Sequence, residues 1–163
     1  MNVKTLVGNG ILAALYIAVS MLIQPIGFFA VQFRLSEMFN HLVVFNKKYI
    51  YGIILGVFIT NLLFSPMKAY DLIFGVGHSL ISLLITILVC RYIKNIWARM
   101  IINTVVFTFM MWIIALELNL VYGWPFGYTW LTAAIGEFVV MAVGIPIMYA
   151  LNKRVNFNKL IEK

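Results

Sequence analysis

Residues 70–91 read YDLIFGVGHSLISLLITILVCR. From Leu72 to Cys90 this stretch contains no Asp, Glu, Lys or Arg. A helix needs roughly 17–25 such residues to cross a hydrocarbon layer, so the stretch predicts a transmembrane helix. Four more runs have the same character, at roughly 6–24, 49–65, 98–119 and 129–151. A sixth segment, about 35–46, would reach only about 18 Å as an α-helix and crosses only if its flanks help. The expected architecture is an all-α integral membrane protein. About six transmembrane helices form a single bundle, and residues 1–163 make one membrane domain.

Composition supports the same class. The chain is 64% hydrophobic and 10% charged, with a mean hydropathy of +1.02. A water-soluble domain carries about 25% charged residues because its surface must be wetted. Lipid must therefore be the main solvent here. The net charge of +7 does not indicate nucleic acid, since the bases stand at the ends of apolar runs rather than in one patch. Cys90 stands alone, which excludes an internal disulfide. The apolar run after Lys4 is about 18 residues, longer than the roughly 7–15 of a cleaved signal, and reads as a retained first helix.

Charge asymmetry predicts the orientation. With six crossings, one side holds Lys4, Lys47, Lys48, Arg91, Lys94, Arg99, Lys153, Arg154, Lys159 and Lys163, and the other only Arg34 and Lys68. The base-rich side is expected to be cytoplasmic, with the C-terminus inside. If 35–46 did not cross, Lys4 and Arg34 would merely exchange sides. The bias therefore does not choose between five and six crossings.

The acids carry more information. Asp71, Glu117 and Glu137 fall toward the outer side, as does Glu37 if the 35–46 segment crosses, and only Glu162 falls inside. An ionisable group at the centre of a membrane costs about 2.5–3.5 kcal/mol on insertion scales, so it usually faces protein or water. Helical spacing puts Asp71, Gly75, His78, Ser79 and Ser82 on one face. Glu137 shares a face with Ala133, Gly136, Val140 and Gly144, and Asn61 lies near the outer end of its helix. These faces predict an outward-opening polar cavity. Plainer readings stand beside this one. Asp71 can cap its own helix, Glu117 can sit among lipid headgroups, and His78 can be a satisfied interior histidine. Arg34 and Glu37 can form a local ion pair.

The link Tyr122-Gly123-Trp124-Pro125-Phe126-Gly127-Tyr128-Thr129-Trp130 is rich in rings. It reads as an interfacial aromatic belt, or as a shaped loop whose Trp124 or Tyr128 covers a flat ligand. Gly10, Ala14 and Ala18 form one stripe of small residues, and Gly52, Gly56 and Thr60 another. Such stripes let helices approach closely, within this chain or against a partner. No phosphate-binding loop and no H-E-x-x-H zinc motif occurs, and the two histidines are too few for a metal cluster. The chain is not expected to be an enzyme, to hold a cofactor or metal, or to bind nucleic acid.

The segment Gln32-Phe33-Arg34-Leu35-Ser36-Glu37 resembles the signature of the QueT family, substrate-binding (S) components of energy-coupling factor (ECF) importers. The likeness continues through Thr60-Asn61-Leu62-Leu63, Ser65-Pro66, Tyr70-Asp71-Leu72-Ile73-Phe74-Gly75, Pro125-Phe126 and Gly136-Glu137. Lys68-Ala69 departs from it. The resemblance implies six helices in a bacterial cell membrane. It implies capture of a queuosine precursor, a 7-deazaguanine base, from outside. It also implies a membrane coupling subunit and two cytoplasmic ATPases as partners, with Gly10, Ala14 and Ala18 facing the coupling subunit. Substrate contacts are expected from Gln32, Phe33, Arg34, Glu37, Asn40, Asn61, Asp71, His78, Glu117, Trp124, Tyr128 and Glu137. The alternatives are an S component for another small molecule, such as a vitamin, and a membrane scaffold without a ligand.

Overall fold

The computed structural model describes residues 2–23, 33–67 and 69–161. Gln32, Lys68 and Glu162 lie outside them. All elements among the described residues are helical. Helix α1 covers Val3–Leu22 and starts at Asn2, whose Oδ1 accepts the Thr5 amide at 2.8 Å. Next comes a 3-10 helix, Leu35–His41, that runs into the short α2, Leu42–Phe45. Helices α3 (Ile50–Phe64) and α4 (Ala69–Cys90) follow. Then come α5 (Ile96–Met110), α6 (Trp112–Tyr122), α7 (Phe126–Val155) and a terminal turn α8 (Phe157–Ile161).

The bundle is inverted relative to a soluble protein. Leu6, Ile11, Ile73, Leu84, Val105 and Phe138 face outward, while Asn40, His41, Asp71, Ser82, Asn103 and Glu117 are buried. Five helical stretches are long and apolar enough to cross a membrane: Val3–Leu22, Lys47–Phe64, Ala69–Cys90, Ile96–Tyr122 and Phe126–Val155. Outward apolar side chains are solvated by lipid tails, and backbone polar groups are satisfied within each helix.

Contacts at the two ends fix the path of the chain. At one end Thr5 Oγ1 donates to Ile161 O at 2.9 Å, Tyr49 OH donates to Phe157 O at 2.7 Å, and the Phe45 ring meets Phe157 at 5.7 Å. This end carries Lys4, Lys47, Lys48, Lys153 and Arg154. At the other end Arg34 reaches Asp71 at the start of α4. The segment from Arg34 to Phe45, called the strut below, thus links the Asp71 end to the Phe157 end through the interior. Ser36, Glu37, Asn40, His41, Leu42, Val43 and Val44 are all buried.

Two sequence expectations need correction. The 35–46 segment is mostly 3-10, not α. A 3-10 helix rises about 2.0 Å per residue against 1.5 Å, so the segment stretches to about 20 Å rather than about 18 Å. The expected single helix 98–119 is two, with a break at Met111. There the backbone amide bonds Thr108 O, three residues back, at 3.4 Å.

Close packing holds the Arg34–Phe45 strut and α1 in place. A Cβ on Gly144 of α7 would lie 2.8 Å from Met38 Cβ, so only glycine lets the strut so near. On α3, Gly52 and Gly56 admit Asn9 and Tyr16 of α1 at 2.7 and 2.8 Å from a notional Cβ. Asn9 Oδ1 also accepts the Gly52 amide at 2.7 Å, serving an N–H near the helix start that has no partner within its own helix. The Gly52-Gly56-Thr60 stripe therefore packs within the chain. The stripe Gly10-Ala14-Ala18 does not: all three are exposed.

Candidate ligand site

Asp71 anchors the site at the start of α4. Its Oδ1 faces Arg34 Nη2 at 3.4 Å, its Oδ2 accepts a hydrogen bond from the Ser65 hydroxyl, and its carbonyl accepts from Asn61 Nδ2 at 2.9 Å. Asn61 reaches this position because Gly75 leaves room; a Cβ there would stand 2.6 Å from Asn61 Nδ2. Asp71 lies inside the first turn of α4 rather than ahead of it. It ties together α3, α4 and the entry to the strut.

Glu37 makes a second anchor on the strut. Its Oε1 accepts from Tyr16 OH at 2.7 Å, and its Oε2 accepts from Asn40 Nδ2. Arg34 lies within electrostatic reach of Asp71, Glu37, Glu117 and Tyr16. Glu117 faces Asp71 and Arg34, and Glu137 faces Glu37 and Arg34. The four carboxyls therefore form two pairs around one guanidinium. Arg34 is 12% exposed, Asp71 and Glu137 1%, and Glu117 0%. The headgroup reading of Glu117 is overturned by that burial. Glu137 lies eleven residues into α7, about 16 Å along it and deeper than its sequence position suggests, because the helix begins at Phe126.

Several acceptors in this cluster are open. Among the described residues, Oε1 of Glu137, Oδ1 of Asn40 and the Thr60 hydroxyl have no hydrogen-bond partner, and Glu117 has none beyond the Asp71 carboxyl. Buried polar atoms are paired in most native proteins, and open ones call for an explanation. A small cavity adjoins the cluster. Tyr16, Ser20, Ile23, Arg34, Ser36, Thr60 and Asn61 line it, and its volume is about 10 Å³. That is room for about one water molecule.

Other expected residues divide. His78 is buried; its Nε2 meets Phe107 O at 3.3 Å and its ring packs edge-on against Phe107 at 5.5 Å. It fits the interior-histidine reading, although it stands within the field of Arg34. Phe33 is half-buried beside Arg34. Trp124 and Tyr128 are not part of the cluster. Trp124 stacks on Tyr122 at 5.3 Å, Asn119 Nδ2 donates to its carbonyl at 2.6 Å, and Tyr128 is 67% exposed. Their position fits an aromatic belt. Gln32 falls outside the described residues.

Sequence reasoning passed over two groups. Tyr16 holds Glu37, and its position among the apolar residues of α1 hid it. Below the cluster, Thr86 Oγ1 donates to Asn103 Oδ1 at 2.8 Å, Asn103 Nδ2 meets His41 Nδ1 at 3.2 Å, and His41 Nε2 meets Met141 O at 2.9 Å. Thr86 continues the buried polar face of Ser79 and Ser82 on α4, and that spacing is the signal that could have found it.

An inside-out helical bundle with a buried polar cluster near one end defines a multi-pass membrane protein built around a small hydrophilic site. The model of the QueT transporter family matches residues 6–153. The chain is also 35% identical, over 158 residues, to the queuosine precursor transporter QueT of Lactococcus lactis subsp. cremoris (strain MG1363). The match covers 91% of this chain and 92% of that protein. No solved structure gives a significant match. The chain belongs to the QueT transporter family.

Proposed function

We propose that this chain is the substrate-capturing S component of an ECF-type importer. It takes up a 7-deazaguanine precursor of queuosine from outside the bacterial cell membrane. A membrane coupling subunit and two cytoplasmic ATPases then power its delivery inward. The chain itself performs no hydrolysis.

The observation that carries this reading is the convergence of four buried carboxyls around Arg34, with an open acceptor on Glu137. A scaffold without a ligand would gain nothing from them, since each buried charge is costly unless paired. A guanine-like edge presents adjacent N–H donors, and one carboxylate accepts two of them in parallel. The open Oε1 of Glu137, deep in the bundle, fits that role. Asn61 and Asn40 supply further polar groups near by. The relative's name, queuosine precursor transporter, agrees with this chemistry.

The base-rich end faces the cytoplasm by the positive-inside rule, which puts the carboxyl cluster toward the outside. Gly10, Ala14 and Ala18 present a smooth exposed stripe on α1, and we assign it to the coupling subunit. The test is a ligand panel titrated against the purified chain. Tight binding of a 7-deazaguanine base is expected. Tight binding of a vitamin, with no binding of that base, would overturn the assignment.

A further inference from the structure

We propose that the base-rich end of the bundle holds the phosphate headgroup of an anionic phospholipid in a cavity bordered by Lys47, Arg91 and Arg99.

That cavity has a volume of about 230 Å³, against about 10 Å³ for the hollow beside Arg34. Phe45 at the foot of the strut, Ile87 and Cys90 of α4, and the three bases are among the residues that line it. The bases come from separate parts of the chain. Lys47 opens the turn that leads into α3, Arg91 follows the end of α4, and Arg99 stands on α5. The positive-inside rule accounts for bases at this end of the molecule. It does not account for three of them meeting at one cavity.

No carboxylate answers these charges. Among the described residues none stands within ion-pair distance of Lys47, Arg91 or Arg99, and Glu37, Asp71, Glu117 and Glu137 gather around Arg34 at the far end. Arg99 is the most constrained of the three. It is half-buried, and its Nε donates to Ile93 O at 2.6 Å across the turn between α4 and α5. That bond fixes the guanidinium and leaves its two Nη groups without a partner among the described residues. Arg99 is also the fourth residue of α5, in the turn where the helix dipole is positive. A base there is disfavoured, and an anion beside it offsets both the base and the dipole.

Phosphate fits these donors, since a guanidinium bonds two of its oxygens in parallel and a lysine adds a point charge. The walls argue for a lipid as its source. Phe45 and Ile87 stand beside the bases, and a free phosphate, solvated on every side, gains nothing from them. A phospholipid brings its phosphate with a glycerol backbone and acyl chains that can cover such surface. Basic pockets between helices on the cytoplasmic side suit headgroups of this kind.

Native mass spectrometry of the purified full chain in detergent tests this, with phosphatidylglycerol and phosphatidylcholine titrated in competition. The wild type should hold phosphatidylglycerol in preference. Arg99→Gln should lower the ratio of the two about fivefold, and Lys47→Gln, Arg91→Gln and Arg99→Gln combined about a hundredfold. Lys94→Gln, at the same end but outside the cavity, should leave the ratio as it was. Both lipids compete for the same molecules, so partial misfolding does not mask the result. An unchanged ratio in the triple variant, or an equal fall in Lys94→Gln, would overturn the proposal. Displacement of phosphatidylglycerol by inorganic phosphate at equal concentration would also overturn it, by marking a site for a soluble anion. If the triple variant kept the ratio but lost co-purification with the coupling subunit, the bases would belong to that partner instead.

Discussion

Glu137 and Gly75 show what single residues do here. Glu137 lies deep in α7 with one oxygen open. Glu137→Gln keeps the shape but removes the carboxylate as an acceptor, so base affinity should fall about ten- to a hundredfold in a binding titration with little change in thermal stability. An unaltered affinity would remove Glu137 from the site. Gly75 acts through space alone. Gly75→Ala forces the Asn61 amide away from Asp71 O, because the added Cβ would otherwise sit 2.6 Å from it. Overpacking of this kind costs about 1–3 kcal/mol, readable as a lowered melting temperature in detergent. The acids were legible in the sequence because charge is rare and conspicuous in an apolar chain. Tyr16 was not, because a tyrosine among leucines and alanines gives no sign of which way its hydroxyl points.

Individual elements differ in how plainly the sequence announced them. Long apolar runs gave α1, α3, α4 and α7, since a twenty-residue hydrophobic stretch has few alternatives in lipid. The strut was harder. Its 3-10 geometry depends on Gly144 and on the partners of Glu37 and His41, all distant in sequence. The break at Met111 has no proline or glycine to mark it. The chain Thr86–Asn103–His41 joins α4, α5 and the strut, so Asn103→Ala should destabilise the fold by about 1–3 kcal/mol by orphaning both neighbours. A thermal melt unaffected by that change would show that water replaces the amide. On α1, Ala14→Trp and Ala18→Trp alter only an exposed face. They should abolish co-purification with the coupling subunit while base binding persists. Loss of both would point instead to a role in the fold of this chain.

At the scale of the whole molecule, orientation is the decisive property. Charge counting left five and six crossings equal, because moving Lys4 and Arg34 together preserves the bias. The path of the strut favours six: Arg34 lies at the Asp71 end, and Phe45 packs on Phe157 at the other. Thr5 and Ile161 meet, so both ends of the chain lie on one side. Reporters fused to the N- and C-termini should both read cytoplasmic; one in each compartment would contradict the path of the strut.

The 10 Å³ hollow beside Arg34 has a kinetic consequence. The base proposed as ligand is many times larger than one water, so on that proposal the helices must part before it enters. Capture then proceeds in two stages, an opening of the protein followed by occupation. The observed association rate should climb with base concentration and level off at the opening rate, well below the speed of diffusional encounter.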